Sequence, residues 1–174
     1  RSAHVQPGVY YRDFEIETLK ENALLPCYPA SRDLCTLGGM VANNSGGEKS
    51  LQYGKTEQFT TALSVILADG NEYEAKLLNR AQLKAKMAQT DYEGRLYSRL
   101  YQLLEKQYDE IKAAKPQVSK DSTGYHLWNV WDRETGIFDM THLIVGSQGT
   151  LGIVTDIHLR LVPAPNHSGT LVVF

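Results

Sequence analysis

The sequence lacks the features that would place it in several specialised protein classes. Its two cysteines have no His pair at metal-ligand spacing nearby, so no metal site is expected. No apolar run approaches the ~20 residues that cross a bilayer. The first residues show no apolar segment of the kind found in signal peptides. Lys and Arg total 18 against 20 Asp and Glu, without a basic cluster, which argues against a nucleic-acid partner.

What the sequence does contain is typical of one globular domain. Hydrophobic residues make up 42% of its 174 residues and charged residues 22%, enough for a packed core. A disulfide between Cys27 and Cys35 is possible but nothing requires it. We expect reduced thiols and a cytoplasmic protein.

The order of patterns predicts an α+β fold, with a mostly antiparallel sheet flanked by helices. Asp69-Gly70 separates two β-type runs and predicts a hairpin with a type I′ turn. Apolar residues at helical spacing predict a strong helix over 93–112. The other predicted elements are a strand-to-turn phrase at 5–9, helices at 12–23 and 79–89, a loop over 117–139, and strands after 153 and from 170.

Two segments rich in small residues stand out, Thr36 to Gly47 and Gly146 to Gly152. Glycine has no Cβ, so its backbone N–H groups can approach a phosphate or a heterocycle closely. The first segment alone could equally be a flexible loop, and the second alone a tight turn into a strand. Neither fits the dinucleotide-binding G-x-G-x-x-G pattern or a P-loop.

Taken together and in order, these motifs resemble the FAD-linked oxidases of the vanillyl-alcohol oxidase (PCMH-type) superfamily. The resemblance is greatest to D-lactate, glycolate and D-2-hydroxyglutarate dehydrogenases, and it covers nearly the whole chain. Its first block is Pro29-Ala30-Ser31, then Cys35-Thr36-Leu37-Gly38-Gly39-Met40-Val41-Ala42-Asn43-Asn44-Ser45-Gly46-Gly47, then Tyr53-Gly54. Its second block is Thr123-Gly124-Tyr125 followed by Gly146-Ser147-Gln148-Gly149-Thr150-Leu151-Gly152-Ile153-Val154-Thr155.

The resemblance implies a non-covalent FAD cofactor and a parent enzyme that oxidises a 2-hydroxy acid. It implies that 1–174 is the second subdomain of the FAD-binding domain, with the pyrophosphate loop before Arg1 and the substrate domain after Phe174. The chain alone should then bind FAD weakly and expose a face prone to self-association. No catalytic residue is identifiable. The residues expected to contact FAD are Cys35, Gly38, Gly39, Asn44, Ser45, Gly46, Gly47, Gly152, Ile153 and Val154.

Three departures from the family pattern leave the substrate open. Gln148 stands where the second block usually has Glu, His126 follows Gly124-Tyr125 where Asp is common, and the segment 90–118 is long. A reductase of cell-wall nucleotide sugars is a weaker alternative in the same superfamily. A non-catalytic module that kept the fold and lost the flavin is an alternative from another class.

The five histidines are expected to be structural. Four of them lack a fixed partner in the sequence, and His126 is of interest only because it adjoins Gly124-Tyr125. The four are His4, His142, His158 and His167.

Overall fold

The computed structural model describes residues 1–118, 121–165 and 169. Its α-helices are α1 (Tyr11–Lys20), α2 (Leu37–Ala42), α3 (Ser50–Tyr53), α4 (Arg80–Met87), α5 (Tyr92–Lys106), α6 (Tyr108–Ala113) and α7 (Thr141–Ile144). Its strands are β1 (Ser2–Val5), β2 (Ala23–Leu24), β3 (Thr60–Ile66), β4 (Glu72–Leu78), β5 (Trp131–Asp132), β6 (Ile137–Asp139), β7 (Ile153–Arg160) and β8 (Val162–Pro163). Short 3₁₀ turns cover Thr56–Gln58 and Leu127–Asn129.

Six strands form one sheet in the order β1-β7-β3-β4-β6-β5, and every neighbouring pair is antiparallel. The predicted antiparallel sheet flanked by helices is thereby confirmed. The first strand pairs with the seventh, with Ser2 opposite Arg160 and Val5 opposite Ile157. β2 and β8 form a separate two-stranded ladder.

One continuous core lies between the sheet and the helices. Along β3 and β7, Leu63, Val65, Ile157 and Leu159 are almost fully buried, as expected for alternate residues of half-buried strands. Met40 and Val41 of α2 and Tyr97 and Leu104 of α5 belong to the same core, and Tyr97 packs against Phe138 of β6. The packing fixes α2, and hence the first small-residue segment, against the end of β7.

The β3–β4 hairpin forms as predicted, but its turn is not type I′. That turn needs a positive φ at both central residues, whereas only Gly70 has one, at 82°. The Gly70 N–H donates to the Leu67 carbonyl, which gives a three-residue loop ending in a left-handed glycine. Asp69 keeps an ordinary φ because its carboxylate accepts the Asn71 N–H at 3.2 Å.

The helix predicted over 93–112 is divided into α5 and α6 at Gln107. At the break, the carbonyl of Glu105 accepts a hydrogen bond from the Arg133 guanidinium at 3.2 Å. The same arginine pairs with the Glu105 carboxylate at 3.1 Å. A long-range contact therefore accompanies this interruption of the helical periodicity.

The segment 117–139, predicted as loop, contains the short strands β5 and β6, which extend the sheet. Trp131 anchors them, because its indole N–H donates to Glu105 at 2.7 Å and its ring meets the edge of Tyr101. Trp128 lies stacked on His126 with ring centroids 5.0 Å apart. Both tryptophans thus contact this chain itself. The strand predicted from residue 170 lies outside the described residues.

Candidate functional site

The two small-residue segments meet at one cleft. Its volume is about 270 Å³. The lining residues come from the turn after β1, from α2, from the end of α7, and from the turn that leads into β7. They are Pro7, Gly38, Ala42, Ile144, Ser147, Gly149, Gly152, Ile153 and Val154.

The first segment enters the cleft through the start of α2. Thr36 caps this helix, since its hydroxyl accepts the Gly39 N–H at 3.1 Å. The Gly38 N–H donates to the Pro7 carbonyl at 2.9 Å. A Cβ on Gly38 would stand only 2.6 Å from the Pro7 Cβ, so this position requires glycine for close approach of two backbones.

The second segment is pinned directly to the first. The N–H of Gly146 donates to Val41 at 2.9 Å, and the N–H of Gln148 donates to Ala42 at 2.8 Å. Gln148 and Gly149 both adopt positive φ, 53° and 75°, which turns the chain sharply toward β7. The joint between the segments therefore consists of backbone hydrogen bonds.

The first residues of β7 present free backbone to this cleft. The ladder between β1 and β7 ends at Val5 opposite Ile157, so Ile153 and Val154 lack a partner on that side among the described residues. Their other side pairs with β3. The Ile153 side chain is 67% exposed. This strand edge can donate to and accept from a ligand.

Four of the ten predicted contact residues line the cleft together, namely Gly38, Gly152, Ile153 and Val154. Gly152 also serves the protein's own packing, because a Cβ there would stand 2.6 Å from Val65 and 2.7 Å from the Ile66 carbonyl. The position of these four agrees with the expected backbone contacts, although their contact with FAD stays a prediction.

Asn44 and Ser45 lie beneath the cleft and are almost fully buried. The Asn44 carbonyl oxygen accepts the Glu57 N–H at 3.1 Å. Its Nδ2 is buried and has no partner in the described part of the chain. The Ser45 carbonyl accepts both the N–H and the hydroxyl of Thr56. Asn44 and Ser45 therefore connect the first segment, through these hydrogen bonds, to the 3₁₀ turn that precedes β3.

Gly46 and Gly47 do not line this cleft and contact their own chain instead. A Cβ on Gly46 would collide with the Ser50 hydroxyl and approach Lys55 to 3.0 Å. A Cβ on Gly47 would collide with the backbone carbonyl of Tyr28. A larger residue at either position would therefore clash with the protein itself, and contact of these glycines with FAD stays a prediction.

Gly39 lies in α2 and Cys35 just before it, outside the residues that line the cleft. The Cys35 thiol lies 3.7 Å from the Arg32 carbonyl, and desolvation raises its pKa. Cys27 is fully buried, and burial raises the pKa of its thiol to about 12. Both cysteines are free.

Five lining residues were not among the predicted contacts. Ala42, Ser147 and Gly149 belong to motifs that carry the family resemblance, and Pro7 belongs to the predicted strand-to-turn phrase at 5–9, so a signal for them was present in the sequence. Ile144 gave no signal, because only the packing of α7 brings it to the cleft.

The cleft suits the flavin side of FAD better than its diphosphate. None of the described residues that line it carries a charge, and its walls are small or apolar. Such a surface matches a planar, neutral ring that is contacted by backbone groups. The buried Nδ2 of Asn44 adds an unused donor close by. The residues present therefore fit the isoalloxazine–ribityl part of the cofactor.

A buried network of acids and histidines lies behind the first segment. His126 Nδ1 is 2.8 Å from the Glu57 carboxylate, and its Nε2 is 3.4 Å from Asp121. His142 approaches Glu57 at 4.0 Å and Asp139 at 3.8 Å. The N–H of Thr123 lowers the pKa of Asp121. His126 is held between two carboxylates, and the partner role of Glu57 was not anticipated from the sequence.

The remaining described histidines also have partners, contrary to the expectation from the sequence. His4 is 2.9 Å from Asp156 and stacks on His158, with ring centroids 4.2 Å apart. Cross-strand pairing of β1 with β7 brings them together, which no local pattern reveals. His167 lies outside the described residues. Where the structure describes the chain, no group of three or more His, Cys, Asp or Glu could hold a metal ion.

No helix in the described ranges is long and apolar enough to cross a membrane.

The sequence profile of the FAD binding domain family matches residues 1–76. The chain is 32% identical to a D-2-hydroxyglutarate dehydrogenase of Pantoea ananatis over 131 residues, 75% of this chain and 13% of that protein. It is 29% identical to the glycolate oxidase subunit GlcD of Bacillus subtilis, over 98% of this chain and 25% of the relative.

A D-lactate dehydrogenase of Anaerostipes hadrus is 28% identical over 97% of the chain and 24% of the relative. The fold resembles that of alkyldihydroxyacetonephosphate synthase, with a TM-score of 0.55 and 19% identity over 95% of this chain and 20% of that one. The chain thus spans between an eighth and a quarter of the length of these relatives, whose sizes leave room for further domains.

Proposed function

Because the FAD binding domain profile matches residues 1–76, we propose that this chain belongs to the vanillyl-alcohol oxidase (PCMH-type) superfamily and forms the isoalloxazine–ribityl side of an FAD site. The observation that carries the proposal is the uncharged cleft where the two small-residue segments meet. The parent protein would oxidise a 2-hydroxy acid such as D-lactate or glycolate. FAD supplies the hydride acceptor when it is bound, and the protein supplies binding and orientation.

In this proposal the residues of the cleft act mainly through their backbone. Ile153 and Val154 would offer the open edge of β7, and Gly38 and Gly152 would let the cofactor approach closely. The apolar side chains of Ile144 and Ile153 would exclude water from one face of the ring. None of these groups can move a proton, so acid–base chemistry on the substrate would need residues outside the cleft.

The uncharged lining also supports the proposal that the FAD diphosphate is held by another part of the parent. Diphosphates are normally bound by a backbone nest, a helix N-terminus or basic side chains. We place that loop before Arg1 and the substrate domain after Phe174, which fits the small share of each relative that the chain covers. The chain would then be the second subdomain of the FAD-binding domain.

The substrate class rests on the relatives. Those compared above are named for D-2-hydroxyglutarate, glycolate and D-lactate, all of which are 2-hydroxy acids. They share a carboxylate and an adjacent carbinol carbon, and they differ in the group that the substrate domain would select. The departures at Gln148 and His126 leave the choice among them to experiment.

The direct test is the colour of the full-length parent protein. We expect it to purify yellow, with one flavin per chain that acid denaturation releases into the supernatant. Flavin that stays with the precipitate would contradict the non-covalent claim. A colourless parent that also fails to bind added FAD would favour the non-catalytic module.

A matched pair of variants tests the cleft itself. Ile153→Glu places a charge at the cleft, and Leu77→Glu places one on an exposed apolar position of β4 that does not line it. We expect Ile153→Glu to weaken FAD affinity by about tenfold or more, corresponding to roughly 1.4 kcal/mol, and Leu77→Glu to leave it unchanged. Equal affinities in the two variants would remove the cleft from the FAD site.

A further inference from the structure

The loop 121–130 contacts both small-residue segments through side chains, and neither contact belongs to the cleft. On one side, the Tyr125 hydroxyl lies 2.8 Å from the Thr150 hydroxyl, within the turn before β7. The Thr150 hydroxyl in turn donates to the Ser147 carbonyl at 2.6 Å. The loop therefore holds the second segment at the point where it faces the cleft.

His126, which follows Tyr125, is connected to the first small-residue segment through Glu57. His126 Nδ1 lies 2.8 Å from the Glu57 carboxylate, and the Glu57 N–H donates to the Asn44 side chain at 3.1 Å. All three residues are buried. Since an ionised carboxylate only accepts, the hydrogen of this contact belongs to His126.

We propose that His126 and Tyr125 are positioning residues for the FAD site. They join the two small-residue segments by a bridge that runs from Thr150 through Tyr125, His126 and Glu57 to Asn44, and its last link is the Glu57 backbone N–H. The bridge supplements the two backbone hydrogen bonds from Gly146 and Gln148.

Burial makes His126 the decisive member of the bridge. Removing its imidazole would leave the Glu57 carboxylate buried without its closest partner, which is costly. The turn 56–58 would then rearrange around the unpaired carboxylate, and this rearrangement would weaken the hydrogen bond from the Glu57 backbone N–H to Asn44. Asn44 has a positive φ of 46°, an uncommon conformation for a non-glycine residue, so it depends on its neighbours for support.

Tyr125 offers a gentler test, because its side chain is 42% exposed and its loss leaves no buried charge. Tyr125→Phe removes only the hydroxyl that contacts Thr150. We expect the turn 146–152 to loosen while the unfolding midpoint of the whole chain stays within error. This result would distinguish a role in positioning the turn from a general contribution to the stability of the fold.

The first readout needs no flavin. Amide hydrogen exchange of the 174-residue chain reports on Gly146 and Gln148, whose N–H groups donate across the joint. We expect His126→Leu to speed their exchange by about tenfold or more relative to His4→Leu, a matched change at the exposed edge strand. His126→Asn should restore protection, because its side-chain N–H can replace Nδ1–H toward Glu57.

The second readout rests on the proposed function, because it measures FAD affinity in the full-length parent. We expect Tyr125→Phe to weaken affinity about fivefold and His126→Leu by more, with recovery in His126→Asn. Unchanged exchange in both Tyr125→Phe and His126→Leu would overturn the bridge. Exchange that rises uniformly over the chain, or no rescue by Asn, would also overturn it. Altered exchange in a parent that binds no FAD would sink only the proposed function.

Discussion

Gly47 packs against the backbone carbonyl of Tyr28, and this contact sets its tolerance to substitution. We expect Gly47→Ala to lower the free energy of unfolding by about 1–3 kcal/mol, because neither backbone segment can move freely. Gly8→Ala is the matched control, since a Cβ there meets nothing within 4 Å. Urea unfolding of the two variants measures the difference. Equal stabilities would show that the 47–50 loop adapts without strain.

Because Cys27 is buried, we expect the stability of the folded protein to fall at alkaline pH. Burial raises its thiol pKa from 9.0 to about 12, so the folded state holds the proton more tightly than the unfolded state. The stabilising effect is present below pH 9 and is lost as pH rises toward 12. Above pH 9, the free energy of unfolding should fall by up to about 1.4 kcal/mol per pH unit. Urea titrations at several pH values should show a shallower slope in Cys27→Ala, and an equal slope would contradict the assignment.

Some residues of the site could be predicted from the sequence, and others could not. Gly38 and Gly152 could be predicted, because their motif is local and ordered along the chain. Glu57 could not, since its meaning depends on His126, which lies 69 residues away. Gly46 and Gly47 were predicted as FAD contacts, which stays a prediction, and the structure shows tight contacts of both with the protein itself.

At the scale of elements, α4 begins with a complete capping box. Asn79 accepts the Gln82 N–H at 2.9 Å, and the Gln82 side chain accepts the Asn79 N–H at 2.9 Å. We expect Asn79→Ala to cost about 1 kcal/mol in unfolding free energy, and Gln82→Ala to cost less. Thermal unfolding followed by circular dichroism checks this order. A larger loss in Gln82→Ala would contradict it.

Local patterns predicted most elements of the fold but not their interruptions. The hairpin β3–β4 and helix α4 were recognised because turn and capping residues lie within a few positions of one another. The end of α5 at Gln107 was missed, and the contact that marks it comes from Arg133, which is distant in sequence. The strands β5 and β6 were missed because each has two or three residues, too few for a period to appear.

At the scale of the whole molecule, the 174-residue chain should fold but bind FAD weakly. Folding follows from one continuous core beneath a six-stranded sheet. Weak binding follows from a cleft without charged residues, which offers the diphosphate no counter-charge. Isothermal titration with FAD, and sedimentation for the proposed self-association, measure both. Tight stoichiometric binding would show that this half holds the whole cofactor.

The position of β7 in the sheet has a consequence for synthesis on the ribosome. This strand lies between β1 and β3, yet it is made after both of them, and Ser2 finds its partner only when Arg160 emerges. Until then, β1 and the free side of β3 remain open edges, which are prone to pairing with other chains. Nascent chains truncated before residue 160 should therefore be protease-sensitive and dependent on chaperones, because the order of translation opposes the order of the strands.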